Sequence, residues 1–518
     1  MDSEQFRIWG VEMVNCVANY WEKLRNYRPM PDVRPGFMRP MLPSEAPVDG
    51  EEWPAIFEDI NRVVIDNNTH WHHPHFFAYY PCALSYQAIM GDMLSGGLGS
   101  IGFTWKSSPS CTELELVVMD WVAKMLGLPE HFLNSHPGPG AGVIQSTTSE
   151  CTVLALLAAR NRALDHEAAL HRKQTSLVGG ARTQCLKAQT VAAFKLLRSR
   201  FHIKRQSEVA ETDETGHRFF PRLCAYTSEQ SHCSVERASL MAAVRLRALP
   251  TTAADGYALT GATLERAIQE DIGRGRTPIF VCATIGTTNC CAVDRVRQIA
   301  NVCLKYGIWL HVDAAYAASA AVCPEYRWLL DGVELVDSFS FNAHKLMLVN
   351  MDCSCMWLRN VAHVEKAFMV DAMYLQHDHQ KAGMDLMNLQ IPFSRRFRSL
   401  KLWFVLRSVG VTGLQQRIRK MCKLGDEFGA LVKADKTFEL LVPPRLGLTC
   451  FRLKGDNSRS EQLLRLIDAD RRIHLVAATV NGTFVLRLAV CSTKATSLDI
   501  QFAWNVIREL ASNVPPST

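Results

Sequence analysis

The stretch SFSFNAHKLMLVN centres on a lysine, Lys345, that follows Asn-x-His at the end of a strand-like run from Ser338 to Phe341. Upstream, IWLHVDAAYAASA carries a β-rich run from Ile308 to Val312 that ends on a carboxylate, Asp313, followed by small residues. One strand thus delivers a carboxylate and another an amine. An amine forms a Schiff base with an aldehyde cofactor, and a carboxylate keeps a pyridine nitrogen protonated so that the ring accepts an electron pair. Taken singly, a His-Lys pair is ordinarily a solvated surface pair and an Asp at a strand end is ordinarily a cap. Together with the motifs below they point to a pyridoxal phosphate (PLP) site.

IQSTTSEC (Ile144 to Cys151) follows the glycine-rich PGPGAG and places hydroxyl residues just before the helical CTVLALLAAR. Free N–H groups at a helix start, flanked by Ser and Thr hydroxyls, suit a phosphate, although the same letters also spell an ordinary capping box. AYTSEQSHCSVERA sets His232 just past a strand, and ATIGTTNCC sets Thr287 and Thr288 past another. In doubly wound sheets ligands gather beyond the carboxyl ends of the strands, where all these residues fall.

The elements that must position them read as three regions. Residues 1 to about 85 begin with an amphipathic helix (Phe6 to Leu24) and run on through Pro-rich connections, an arm with little core of its own. Residues 86–398 alternate strand-like runs (LCAYTS, PIFVCATIG, IWLHVDAA, CSCMWL) with helical ones, which predicts a mostly parallel sheet covered by helices on both faces. Residues 399–518 open on a long helix (Ser399 to Lys433) and continue as a smaller α+β domain.

Composition excludes several classes. The 518 residues are 48% hydrophobic and 21% charged, enough for a large core, and the net charge of +6 is too mild for this size to imply nucleic acid. The 17 cysteines form no CxxC pair or regular framework, so a reduced, cytoplasmic protein is expected, with neither a disulfide scaffold nor a metal site. The acidic, polar start (Met1 to Phe6) does not read as a signal peptide, and no apolar run reaches the length of a membrane span. A basic stretch of about residues 165–217 (His171, Arg172, Lys173, Arg182, Lys187, Lys195, Arg198, Arg200, Lys204, Arg205) lacks interleaved aromatics. It reads as a helical excursion with a solvated loop rather than a nucleic-acid or membrane patch.

The chain resembles the group II PLP-dependent amino-acid decarboxylases, the family of aromatic-L-amino-acid (dopa), tyrosine and histidine decarboxylases, including their insect-type paralogues. The resemblance runs from FRIWGVEMVNCVANY to FAWNVIREL, apart from the basic stretch, and is carried by FFAYYP, SIGFTW, SPSCTELE, VMDW, WLHVDAAYA, CPEYR, FNAHK, SRRFRSLKLWF and GLTCFRLKG. It implies an α/β fold of PLP-dependent transferase type I, like aspartate aminotransferase. It also implies a homodimer with sites at the subunit interface and an N-terminal arm that swaps across it.

Carried over, the family's roles place PLP on Lys345 and its ring nitrogen on Asp313. His232 would stack on the ring and help hold the substrate carboxylate. Thr147, Thr148, Asn342 and His344 would bind the phosphate, and Thr288 and Ala315 would line the ring. Ile101 and Phe103 would enter the substrate pocket from the partner subunit, with Trp71, Tyr79 and Tyr80 near it. Tyr374, in VDAMYLQHDHQ, matches the tyrosine of the family's mobile catalytic loop that reprotonates the substrate carbon after CO2 leaves.

The chain also departs from the family. Asn388-Leu389 replace His-Trp in that loop, Leu346 follows the lysine where Trp is frequent, and Ser146 stands for a glycine of the phosphate turn. Cys82 occupies the place of a catechol-binding Thr, and Ser394 is the variant of histidine and tyrosine decarboxylases. The resemblance therefore implies decarboxylation of dopa, tyrosine, 5-hydroxytryptophan or histidine to the amine. The alternatives are an aldehyde synthase, in which Asn replaces the histidine at position 232, and a weakly active paralogue acting as a binding protein.

Overall fold

The computed structural model describes residues 1–179, 220–370, 372–379 and 383–515. The basic stretch begins inside the helix Thr148–Gly179 and otherwise lies outside the described residues.

Seven strands form the main sheet: β1 (Ala141–Gln145), β2 (Leu223–Ser228), β3 (Arg245–Leu249), β4 (Thr277–Thr284), β5 (Trp309–Asp313), β6 (Ser338–Asn342) and β7 (Ser354–Leu358). Their order is β1-β7-β6-β5-β4-β2-β3. The pairs β2–β3, β2–β4, β4–β5 and β5–β6 are parallel, and only β7 runs against its neighbours β1 and β6. β5 and β6 are buried at every residue because both faces of the sheet are covered. Along β4, Val281 and Ala283 enter the core on one side of the sheet, while Phe280 and Cys282 enter a second cluster that includes Leu154 and Leu156 of the helix after β1.

A second sheet, β10-β11-β9-β8, is antiparallel throughout: β8 (Phe438–Leu440), β9 (Leu448–Leu453), β10 (Val476–Val480) and β11 (Thr483–Ala489). Asn481 and Gly482 join β10 to β11, both with positive φ (47° and 77°), as a two-residue hairpin with matching twist requires. The single long helix expected from Ser399 is observed as Ser399–Ala434 but breaks at Gly410, whose φ of 66° and ψ of 173° are open to glycine and not to the helix. The helix Tyr86–Leu98 packs on it so closely that a Cβ on Gly91 would lie 2.5 Å from the Cα of Lys401.

The N-terminal helix Ser3–Glu22 buries only Trp21 and leaves Phe6, Ile8, Val11 and Val14 exposed. Its end is held by Arg25, which donates to both oxygens of the buried Asp499 carboxylate at 2.7 and 2.9 Å. Farther on, Phe76, Phe77 and Tyr80 enter the main core, where the Phe77 N–H donates to the His474 carbonyl and its carbonyl accepts the Ala489 N–H, at 3.0 and 2.9 Å. Among the described residues no helix is long and apolar enough to cross a membrane.

Candidate active site

The carboxyl ends of β1, β2, β4, β5 and β6 converge, and the chemistry-bearing residues sit on them. β6 ends on Asn342 and passes into a single helical turn, Ala343–Leu346, that carries His344 and Lys345. β5 ends on Asp313, buried at 3% exposure, with one carboxylate oxygen accepting the N–H of Ala315 at 2.9 Å. Among the described residues no cation forms an ion pair with Asp313. A buried carboxylate without a directly paired cation is costly to maintain, and a pyridinium nitrogen would supply that partner.

The Lys345 ammonium lies 5.0 Å from the centroid of the Tyr80 ring, and the Arg487 guanidinium lies 4.9 Å from the same ring. Burial pushes the Lys345 pKa down to about 8; attraction to Asp313 opposes the shift, and repulsion from Arg487 adds to it. The amine therefore carries a far larger neutral fraction near pH 7 than a surface lysine does, which suits attack on an aldehyde. Tyr80 is fixed for this role: its hydroxyl donates to the Thr287 carbonyl at 3.0 Å, and its ring packs on Tyr316 at 4.1 Å.

Two histidines are fixed in orientation. The Nδ1 of His232 accepts the N–H of Ser234 at 3.1 Å, leaving Nε2 as the nitrogen free to donate. Burial lowers its pKa, Asp313 opposes that shift, and Lys345 reinforces it. The Nδ1 of His344 accepts the N–H of Cys353 at 3.1 Å, and burial, aided by Lys345, pushes its pKa down to about 4. Each presents a neutral imidazole with one oriented donor.

Around β1 the hydroxyls do structural work. The Asn342 side-chain oxygen accepts the Thr148 N–H at 3.2 Å, the Thr148 hydroxyl at 2.6 Å and the Ser354 hydroxyl. The Thr147 hydroxyl accepts the Glu150 N–H at 3.3 Å as a helix cap. Thr148 and Asn342 thus hold each other and tie the helix start after β1 to the end of β6. At that helix start the Ser146 N–H donates to Glu150 at 3.0 Å and the Glu150 and Cys151 N–H groups to the Thr147 carbonyl at 3.0 and 3.2 Å.

Above this floor opens a cavity of about 590 Å³. Lys345, His344, His232, Thr288, Tyr80 and Arg487 line it, with Trp71, Tyr79 and Cys82 on its wall. Trp71 and Tyr79 stack nearly parallel, 5.2 Å apart at 16°, and Tyr79 holds a left-handed backbone (φ 57°) to reach that position. Burial raises the Cys82 thiol pKa, so it presents an uncharged, compact wall.

A single chain does not bring every expected residue to this cavity. Tyr374 is 79% exposed and Ile101 51%, Ser394 is exposed and Phe103 half-buried, and none of the four lines it; nor do Thr147, Thr148, Asp313, Ala315 and Asn342. Sequence reasoning missed Arg487, although an arginine inside the apolar FVLRLAV was the available signal. It also missed Asn68, Thr69, His72 and Met351 on the wall, for which the sequence carries no signal.

The buried amine of lowered pKa and the buried carboxylate at the end of the neighbouring strand fit PLP. Residues 35–193 and 181–454 match the model of the pyridoxal-dependent decarboxylase conserved domain. The chain is 45% identical over 517 residues to aromatic-L-amino-acid decarboxylase of Rattus norvegicus, covering 99% of both chains. It is 42% identical over 516 residues to histidine decarboxylase of Drosophila melanogaster, covering 99% of this chain and 56% of that one. A crystal structure of Oryza sativa TDC with PLP and tryptamine superposes with a TM-score of 0.88 at 31% identity, covering 99% of each chain. The chain belongs to the pyridoxal-dependent decarboxylase family and is a PLP-dependent amino-acid decarboxylase.

Proposed function

We propose that this enzyme removes the carboxyl group of an aromatic L-amino acid, such as dopa, tyrosine or 5-hydroxytryptophan, to give the amine and CO2. The observation that carries the proposal is Lys345, its pKa lowered to about 8, in a cavity walled by the stacked rings of Trp71 and Tyr79, with the buried Asp313 acting electrostatically on it from the end of the neighbouring strand. The rat relative bears the name of such an activity.

Lys345 would hold the cofactor aldehyde, Asp313 its ring nitrogen, and the helix start at Thr147 and Thr148, with His344, its phosphate. When bound, the cofactor supplies a protonated pyridine ring that accepts the electron pair left when the Cα–carboxylate bond breaks. The free Nε2 of His232 donates to the substrate carboxylate and orients it, and Thr288 and Ala315 line the floor. The aromatic wall takes the side chain by offset stacking and excludes water from the reacting carbon. Tyr374 returns a proton to Cα. An aldehyde-synthase reading is less favoured because position 232 is His, held by Ser234 with a donor nitrogen free.

The same proposal extends to assembly. Met90, Met93, Leu94 and Leu98 of one helix, with Ile101 just beyond it, are 43–55% exposed, an apolar strip that a second copy would cover. In such a homodimer Ile101, Phe103 and Tyr374 would serve the partner's cavity. The chain then divides into the arm 1–85, the large domain 86–398 and the small domain 399–518, in a cytoplasmic enzyme.

Purified holoenzyme incubated with dopa, tyrosine, 5-hydroxytryptophan and histidine, with CO2, amine and peroxide followed together, tests the reading. Amine and CO2 in equal amounts from an aromatic substrate are expected. Turnover of histidine alone would move the substrate to an imidazole, and stoichiometric peroxide would establish the aldehyde-forming reaction instead.

A further inference from the structure

The turn Met373–Leu375, which carries Tyr374, is followed by a side-chain pair that the roles above leave unexplained. The Nε2 of His377 lies 3.0 and 3.1 Å from the two carboxylate oxygens of Asp385. Both side chains are buried, at 1% and 3% exposure, beside a tyrosine that is 79% exposed. His377 Nδ1 is buried and has no hydrogen-bond partner among the described residues. A surface turn has no need of a desolvated His–Asp pair for its own sake, since exposed pairs stabilise little and buried ones carry a desolvation cost.

The pair also reaches a second segment. The same Asp385 oxygen that faces His377 accepts the Trp105 N–H at 2.8 Å. The Phe103 carbonyl accepts the Met387 N–H at 3.2 Å, and the Arg395 carbonyl accepts the Gly102 N–H at 3.0 Å. The Trp105 ring lies 4.8 Å from that of His379, and its indole N–H is held by Glu113 at 2.7 Å. A Cβ on Gly383 would come within 3.0 Å of the indole. Three backbone donors and one buried carboxylate thus join residues 101–105 to residues 377–395.

We propose that His377 and Asp385 are positioning residues for the proton donor: their buried pair locks the turn bearing Tyr374 to the segment bearing Ile101 and Phe103, so that all three residues are presented as one unit. The inference rests on the reading of Tyr374 as the donor to Cα. With Tyr374 in place, a proton reaches Cα and the products are amine and CO2. Without it, the same carbon loses two electrons to dioxygen, and the balance becomes amino acid + O2 + H2O → aldehyde + CO2 + NH3 + H2O2. The ratio of aldehyde to amine therefore reports how well Tyr374 is placed, whereas a merely structural lesion lowers both products together.

Full-length, cofactor-loaded wild type, Tyr374→Phe, His377→Leu, His377→Gln, Asp385→Asn and the double variant His377→Leu/Tyr374→Phe are compared by that ratio and by amide hydrogen exchange. Tyr374→Phe should raise the ratio about 10-fold or more, and His377→Leu should raise it in the same direction with KM within about 3-fold of wild type. His377→Gln, whose amide N–H still reaches Asp385, should restore most of the wild-type ratio, and Asp385→Asn should give a smaller shift than His377→Leu. The double variant should match Tyr374→Phe. In His377→Leu, peptides spanning residues 101–107 and 372–379 should lose protection together, while those of β5 and β6 keep theirs. A normal ratio in His377→Leu beside a shifted one in Tyr374→Phe would overturn the positioning role alone, as would independent exchange of the two segments or a double variant worse than Tyr374→Phe. A normal ratio in Tyr374→Phe itself would remove the donor assignment and the positioning role with it.

Discussion

Lys345 and Arg487 share one aromatic ring, with the ammonium 5.0 Å and the guanidinium 4.9 Å from the centroid of Tyr80. A ring face attracts both cations, yet their mutual repulsion and the burial of the site disfavour the charged lysine. The net effect lowers the pKa to about 8, which enlarges the neutral fraction near pH 7 while the charged form still predominates.

That balance sets the pH dependence of cofactor capture. Only the neutral amine attacks an aldehyde, so the rate at which cofactor-free protein takes up PLP should rise with pH through a midpoint near 8 and level off above it. Arg487→Leu removes a repulsion that lowers the pKa, so its midpoint should move up. Stopped-flow absorbance across pH 6.5–9.5 measures both; a midpoint unchanged by Arg487→Leu would show that the guanidinium does not act on the lysine.

Asp313→Asn should retain covalent cofactor but lose turnover. A neutral amide cannot hold the ring nitrogen protonated, and losing that charge should cost about 3–4 kcal/mol of transition-state stabilisation, or roughly 10²–10³ in kcat. Near-wild-type turnover by a protein that still binds PLP would show that the electron sink does not depend on this carboxylate.

Shared sites can be tested by complementation. If Tyr374 serves the partner's cavity, mixing Lys345→Ala with Tyr374→Phe subunits creates one intact site per hybrid dimer, and amine formation should return from the mixture. If Tyr374 serves its own chain, no hybrid site is intact and no amine activity should return.

The anchor of the N-terminal helix carries a stability prediction. Burial alone would raise the Asp499 pKa, but Arg25 and Thr496 outweigh it and hold the carboxylate well below its usual range. A depressed carboxyl pKa contributes stability that is present above about pH 4 and is lost as pH falls through the folded value. Arg25→Ala should therefore cost about 2 kcal/mol at pH 7 and nearly as much at pH 4, because the folded carboxyl stays ionised at both, as thermal melts at the two pH values would show.

Much of this was legible because the central strands are short apolar runs bounded by turn residues, each ending on a polar residue with a chemical use, as at Asp313 and Asn342. The period of a strand and the residue that ends it are local properties. The break at Gly410 was not legible, since a glycine inside a helical pattern is usually tolerated and only its positive φ reveals the kink. Nor were contacts between residues far apart in sequence, such as the Thr148 hydroxyl on Asn342 or the Trp105 N–H on Asp385. Tyr374 is a different case: its type was readable, but its exposure away from the cavity of its own chain depends on three-dimensional placement.

The most direct measurement is the site of cofactor attachment. Holoenzyme reduced with borohydride, digested and mapped by mass spectrometry should carry the phosphopyridoxyl group on the peptide containing Lys345, and Lys345→Ala treated in the same way should carry none. Covalent cofactor on another lysine, or trapped by the Lys345→Ala protein, would contradict the account.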